Sequence, residues 1–162
     1  MKKFILVTGG AGFIGSNLIN LLLKKTKFKI ISLDNYSTGL KRNHIKSNRV
    51  KYIKGENQDI TSLLTRYKNN ISTIFHFGEF SRIHQSFLNY EKCIRSNLKG
   101  SFEVITFATK NKIRIIYSAT SSMLGNDGKD ENLSPYSWSK SKNLELIKNF
   151  SKWFGLKYEI VF

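Results

Sequence analysis

Three glycines spaced three residues apart follow a short apolar segment near the start of the chain. The apolar segment is Phe4–Val7, and the glycines are Gly9, Gly12 and Gly15. We interpret the segment as a buried strand and the glycines as a tight turn that leads into a helix. Unpaired N–H groups at the helix start, together with the helix dipole, favour an anion there. The sequence therefore predicts a phosphate-binding turn.

The second predicted strand ends in a carboxylate. The strand covers Ile30–Leu33 and is followed by Asp34, about twenty residues beyond the glycine turn. An acidic residue at this place can hold a ribose 2′-hydroxyl, and its charge would repel a 2′-phosphate. The two features together predict a dinucleotide site that takes NAD rather than NADP. The alternative is that Asp34 and Asn35 only open a loop after the strand.

Segments of strand length alternate with helical patterns along the chain. The predicted strands are Phe4–Val7, Ile30–Leu33, Val50–Ile53, Ile71–Phe77, Ile113–Tyr117 and Tyr158–Phe162, and the predicted helices are Phe13–Thr26, Ile60–Tyr67, Tyr90–Lys110 and Tyr136–Phe154. This order is typical of an α/β fold, a Rossmann-like doubly wound parallel sheet in three α/β/α layers. We expect one domain over residues 1–162, truncated before a C-terminal substrate domain.

The composition limits the function classes. The chain has 27 basic and 11 acidic residues, a formal net charge of +16, and a single cysteine, Cys93. One cysteine excludes disulfides within the chain and Cys-based metal sites, and we predict no metal. The basic residues are scattered and no nucleic-acid-binding motif accompanies them, so a solvated surface is favoured over nucleic-acid binding. No apolar run of membrane-spanning length or signal peptide pattern is present, and we expect a cytoplasmic protein without a membrane partner.

A tyrosine and a lysine four residues apart follow the fifth predicted strand. On a helix this spacing places Tyr136 and Lys140 on one face, one turn apart. Because a nearby ammonium lowers the pKa of a phenol, we expect Tyr136 to act as a general base. A hydroxyl-rich run containing Thr120 follows the fifth strand, at the edge where ligands of such sheets bind. The alternatives are a polar turn and a solvated lysine.

As a set, these motifs resemble the extended short-chain dehydrogenase/reductases, in particular the NAD-dependent nucleotide-sugar epimerase/dehydratase family. The resemblance covers nearly the whole chain. The segments that carry it are Gly9–Gly15, Asp34–Gly39, Ile74–Gly78, Ser86, Asn97–Gly100, Thr120–Gly125 and Ser134–Lys140.

The resemblance implies a role for each matching residue. Tyr136 would be the base, Lys140 its partner and a contact of the nicotinamide ribose, and Thr120 the hydroxyl that bonds a sugar oxygen. The residues expected to bind NAD are Gly9, Gly12, Phe13, Ile14, Gly15, Asp34, Asn35, Glu56, Asn57, Phe77, Gly78, Asn97, Tyr136 and Lys140. Glu56 and Asn57 depart from the family, which usually has Asp–Ile there. His76 and His84 are expected to be structural or cofactor-side residues.

The implied reaction is oxidoreduction at a sugar carbon, of the UDP-hexose 4-epimerase type. The family's dehydratases have an Asp–Glu pair where this chain has Ser121 and Ser122, and this departure favours epimerisation or simple oxidoreduction over dehydration. The resemblance also implies a nucleotide-sugar substrate and a homodimer formed through two helices, here near Tyr90–Lys110 and Tyr136–Phe154. The alternatives are a non-catalytic NAD-binding fragment and a nucleotide-sugar dehydratase or reductase.

Overall fold

Six parallel strands form a single sheet. A computed structural model describes residues 3–121, 129–130 and 132–162. The strands in these residues are β1 (Phe4–Thr8), β2 (Lys29–Asp34), β3 (Val50–Lys54), β4 (Ile71–His76), β5 (Arg114–Ser118) and β6 (Tyr158–Val161). Their order across the sheet is β3-β2-β1-β4-β5-β6. The order reverses beside β1, so the crevice at the carboxyl ends of β1 and β4 is the expected place for a ligand.

Helices connect the strands and pack on the sheet. They are α1 (Phe13–Lys25), α2 (Ile60–Leu64), α3 (Ile83–Leu88), α4 (Tyr90–Ile94), α5 (Ser101–Lys110) and α6 (Pro135–Phe154), and a π-helical turn over Arg95–Gly100 joins α4 to α5. Within the described residues, none of these helices combines the length and the apolar character that a membrane span requires.

The hydrophobic core lies on both faces of the sheet. Successive side chains of a strand point to opposite faces, and in β1 Leu6 belongs to one buried cluster while Ile5 and Val7 belong to the other. The larger cluster includes Val104 and Phe107 of α5. Both faces of the central strands are therefore buried in apolar clusters, and the polar side chains discussed below come from the strand ends, the segments that follow them and the helices.

The predicted fold class is confirmed, and each predicted strand lies within one residue of its predicted ends. The prediction of a continuous helix over Tyr90–Lys110 was wrong in detail, because the π-helical turn interrupts it. The short helix α3 was not predicted. π-Helical turns often occur at functional sites, and the turn over Arg95–Gly100 carries Asn97.

Candidate active site

The glycine turn has the shape that a phosphate-binding turn needs. Gly9 has φ +70°, a left-handed conformation that favours glycine. A Cβ at Gly15 would lie 2.3 Å from the Gly9 carbonyl oxygen and 2.8 Å from the Gly10 Cα, so α1 can approach the turn only without a side chain there. No side chain caps the first turn of α1. The helix N-terminus can therefore serve an anionic ligand.

A cleft of about 450 Å³ opens in front of this turn. It lies between the turn, the ends of β2 and β3, and the segment after β4. The predicted cofactor residues that line it are Gly9, Gly12, Phe13, Ile14, Gly15, Asp34, Asn35, Glu56, Asn57, Phe77 and Gly78. Residues from four separate segments of the sequence thus meet in one cleft.

The carboxylates and amides around the cleft also hold its loops together. Asp34 accepts the backbone N–H of Ala11 at 2.9 Å and that of Tyr36 at 2.8 Å, one on each carboxylate oxygen. Glu56 accepts the side-chain amide of Asn35 at 3.0 Å, and Asn57 donates to the Gly78 carbonyl oxygen. Asp34 therefore opens its loop, as the alternative interpretation required, and also lines the cleft.

Asn97 lies behind the cleft and is fully buried. Its Oδ1 accepts the Phe80 N–H at 2.6 Å, while its Nδ2 donates to the Phe80 carbonyl at 3.1 Å and to Ser139 Oγ at 3.0 Å. The side chain fixes the segment after β4 against α6. Its predicted contact with a cofactor stays a prediction.

Helix α6 begins where the sequence places its strongest start signals. Ser134 caps the helix, its Oγ accepting the Ser137 N–H at 3.0 Å, and Pro135 occupies the first helical position. The second helical residue is Tyr136, whose backbone N–H donates to Ser86 Oγ at 3.3 Å. The side chains of Tyr136 and Thr120 are hydrogen-bonded to each other. The structure thus brings together the predicted base and the predicted hydroxyl.

Lys140 does not stand free beside Tyr136, because it forms an ion pair with Glu79. Both side chains are only 4% exposed. The ammonium group donates to Glu79 Oε2 and to the Ser118 carbonyl oxygen, and it lies 4.3 Å from the centroid of the Tyr117 ring. A buried charge is tolerated when it is paired and hydrogen-bonded in this way.

Glu79 is the centre of a buried polar network, and sequence reasoning missed it. Its Oε1 accepts from Ser101 Oγ at 2.8 Å, from Tyr117 OH at 3.1 Å and from Asn143 Nδ2 at 2.8 Å. The signal that could have found it is a carboxylate three residues after the end of β4, the same kind of signal that identified Asp34.

The network continues through His76, whose partners define its tautomer. Ser101 gives its only proton to Glu79, so it accepts from His76 Nε2 at 2.8 Å. His76 Nδ1 then accepts from Thr8 Oγ1 at 2.7 Å. Burial lowers the pKa of His76 to about 4, so the ring is neutral at neutral pH. The expectation that His76 is structural agrees with this arrangement.

The expected lowering of the Tyr136 pKa is not observed. Burial raises the pKa of the phenol above its usual value, and the negative charge of Glu79 raises it further, whereas the hydrogen bond with Thr120 lowers it. The physical reason for the correction is first the burial of the phenol and second Glu79, which pairs with the ammonium that was expected to stabilise the phenolate.

Two of the predicted features lie outside the described residues, namely Ser122 and the glycine at 125. Among the residues that are described, no group of three or more His, Cys, Asp or Glu side chains is arranged to hold a metal ion. Cys93, a free thiol, is buried.

The chain matches a known protein family over most of its length. The model of the NAD dependent epimerase/dehydratase family matches residues 5–161. An uncharacterized protein of Methanocaldococcus jannaschii is 31% identical, over 96% of this chain and 54% of its own length. The UDP-glucose 4-epimerase of Neisseria meningitidis serogroup C is 27% identical, over 94% of this chain and 49% of its own length.

Solved structures show the same fold. The UDP-N-acetylglucosamine 4-epimerase from Methanobrevibacter ruminantium M1, in complex with UDP-N-acetylmuramic acid, superposes with a TM-score of 0.84 at 26% identity. The match covers 99% of this chain and 54% of that one. The present chain thus spans about half the length of these curated and solved relatives.

Proposed function

Because the chain belongs to the NAD dependent epimerase/dehydratase family, we propose that it binds NAD and takes part in epimerisation at C4 of a UDP-hexose. The names of the Neisseria and Methanobrevibacter relatives support this reaction and this substrate class. The serine at 121, where the family's dehydratases have a carboxylate, supports epimerisation over dehydration.

One observation carries the proposal. The phenol of Tyr136 and the hydroxyl of Thr120 are hydrogen-bonded to each other at the carboxyl edge of the sheet. Lys140 lies one helical turn away, and its partner Glu79 lines the cleft that opens on the glycine turn. A base, a hydroxyl and a phosphate-binding turn on one edge of a parallel sheet suit hydride chemistry on a bound sugar.

The residues present fit a dinucleotide. The uncapped start of α1 suits its diphosphate, and a Cβ at Gly12 would meet only the Gly9 carbonyl oxygen, at 3.2 Å, which leaves the backbone open to a ligand. The carboxylate of Asp34 suits a ribose hydroxyl and repels a phosphate. We therefore propose NAD, not NADP, as the cofactor, held by the residues that line the cleft.

Tyr136 and Thr120 have separate roles in the proposed reaction. When bound, NAD would supply an acceptor and donor of hydride. Tyr136 would take the proton from a sugar hydroxyl, and Thr120, which is hydrogen-bonded to the phenol, would bond the same sugar oxygen. Because burial raises the pKa of Tyr136, the fraction of phenolate increases with pH, and turnover should rise from neutral to alkaline pH.

The proposal is tested by NAD and NADP titration calorimetry on the full chain, followed by epimerase assays with UDP-glucose and UDP-N-acetylglucosamine. We expect NAD to bind at least about tenfold more tightly than NADP, which corresponds to about 1.4 kcal/mol. The Tyr136→Phe variant should keep the NAD affinity and lose turnover by about 100-fold or more. Full activity in this variant would contradict the assigned base.

The same measurements separate the alternatives. NAD binding without turnover on either sugar nucleotide would favour a non-catalytic NAD-binding fragment. Release of a dehydrated keto sugar would favour a dehydratase. If neither NAD nor NADP binds, the cofactor proposal fails.

A further inference from the structure

We propose that Glu79 is a positioning residue that holds the Lys140 ammonium and offsets its charge beside Tyr136. The inference rests on the proposed function only in giving Tyr136 the role of base. It assigns to Glu79 the control of when that base is ionised.

The ion pair is held from several sides. One carboxylate oxygen of Glu79 accepts a hydrogen bond from the Lys140 ammonium. The other accepts hydrogen bonds from Ser101 of α5, Tyr117 of β5 and Asn143 of α6. On Lys140, the Ser118 carbonyl oxygen takes a second N–H. Five donors and acceptors from three elements therefore fix both charges, and neither side chain can turn without breaking buried hydrogen bonds.

Two opposite charges lie near Tyr136. The groups that act on the phenol are Glu79 from the segment after β4, Cys93 from α4 and Thr120 from the segment after β5. Lys140 lies one helical turn from Tyr136 on α6 and is paired with Glu79. His76 and Tyr117, which contact Glu79 directly or through Ser101, are neutral at neutral pH, because burial lowers the pKa of the former and raises that of the latter. The region therefore holds one negative and one positive charge, and they are paired with each other.

This pairing distinguishes the site from a simple tyrosine–lysine pair. An unpaired ammonium one turn away would favour the phenolate. Here the ammonium donates to Glu79 and Ser118, and of the two charges it is the Glu79 carboxylate that acts on the phenol and raises its pKa. Removing the charge of Glu79 should therefore free Lys140 to act on Tyr136.

The test is a spectroscopic titration of the Tyr136 phenol, which needs neither NAD nor turnover. The ultraviolet absorbance of phenolate is followed against pH, and the signal of Tyr136 is taken as the difference between each protein and its Tyr136→Phe counterpart. We expect the midpoint to move to lower pH in Glu79→Gln. The control is Glu145→Gln, which removes the same charge from an exposed ion pair with Lys142 on α6 and should leave the midpoint unchanged.

A double variant tests the part played by Lys140. Adding Lys140→Met to Glu79→Gln removes the freed ammonium, so the midpoint should move back to higher pH. The proposal is overturned if Glu79→Gln leaves the midpoint where the wild type has it. It is also overturned if the single and double variants share one midpoint.

A measurement on the wild type covers the case in which Glu79→Gln does not fold. Burial raises the pKa of Glu79, but the Lys140 charge, the His76 ring, which becomes charged only near pH 4, and hydrogen bonds from Lys140 and Ser101 together hold it below its usual range. The carboxyl carbon of Glu79, observed by NMR, should therefore titrate below the range of ordinary glutamates. Titration within or above that range would contradict the proposal. Since no arm of this test uses a ligand, its failure is distinct from failure to bind NAD.

Discussion

Gly12 and Gly15 differ in what a side chain at each position would meet. A Cβ at Gly15 would press into the backbone of Gly9 and Gly10 at 2.3–2.9 Å, whereas a Cβ at Gly12 would meet a single atom at 3.2 Å. Backbone cannot move aside as a flexible side chain can. The fold therefore requires a glycine at position 15, whereas at position 12 it leaves the space beside the backbone open.

The two alanine variants should separate these roles. Gly15→Ala should lower the free energy of unfolding by about 2–3 kcal/mol, because the added methyl overpacks the turn. Gly12→Ala should cost only about 1 kcal/mol, as expected when alanine replaces glycine at an N-cap, yet weaken NAD binding by about tenfold or more. Urea denaturation and NAD calorimetry measure the two effects. Equal losses of stability in the two variants would contradict the assignment.

At the scale of elements, α6 is the helix on which the proposed chemistry depends. It carries Tyr136 and Lys140 in its first two turns, and its start is fixed by the Ser134 cap and Pro135. Its end is equally defined, since Gly155 adopts φ +71° at the C-cap. Local sequence signals at both ends therefore determine where the tyrosine lies along the helix.

Loss of the Ser134 cap should lower the free energy of unfolding. Ser134→Ala removes the hydrogen bond to the Ser137 N–H and should lower the free energy of unfolding by about 1 kcal/mol. Ser134→Asp supplies an equivalent acceptor and should restore most of the loss. Both values come from urea denaturation, and the cap assignment fails if alanine and aspartate behave alike.

At the scale of the whole molecule, one buried polar network links the sheet to the helices. It runs from Thr8 in β1 through His76 in β4 and Ser101 in α5 to Glu79, and from there to β5 and α6. Its members come from five elements and from the segment after β4, so the network depends on the complete fold. Protonation of its titratable side chains should therefore change the free energy of unfolding of the whole chain.

We expect the free energy of unfolding to fall as the pH is lowered from about 6.5 to about 4. The pKa of His76 is about 4 in the folded chain, mainly because of burial, and about 6.5 when the chain is unfolded. The unfolded state binds more protons in this window, so stability decreases with falling pH, by up to about 3 kcal/mol. The contribution of Glu79, whose pKa is lowered, is lost at lower pH still.

Urea denaturation at several pH values measures this dependence. His76→Gln should flatten the slope between pH 4 and 6.5, and His84→Gln, which changes an exposed histidine, should leave it as it is. NMR of the wild type gives an independent check, because the His76 ring should not titrate between pH 5 and 8. A His76 midpoint near 6.5 would show that the ring is not held neutral by burial.

The sequence by itself determined what depends on neighbours along the chain. The six strands follow from apolar segments, the glycine turn from its spacing, and the start of α6 from a serine followed by proline. These signals act within a few residues, where backbone sterics and local hydrogen bonds decide the conformation. The place of the cleft could also be predicted, because parallel strands bring their carboxyl ends to one edge of the sheet.

The tertiary structure alone decided which side chains meet across the sheet. Glu79 and Lys140 are 61 residues apart, and nothing in the pattern around either residue specifies the other. Their contact depends on β4 and β5 lying side by side and on α6 crossing above them. The expected low pKa of Tyr136 was wrong for this reason, because the fold buries the phenol and directs the Lys140 ammonium to Glu79.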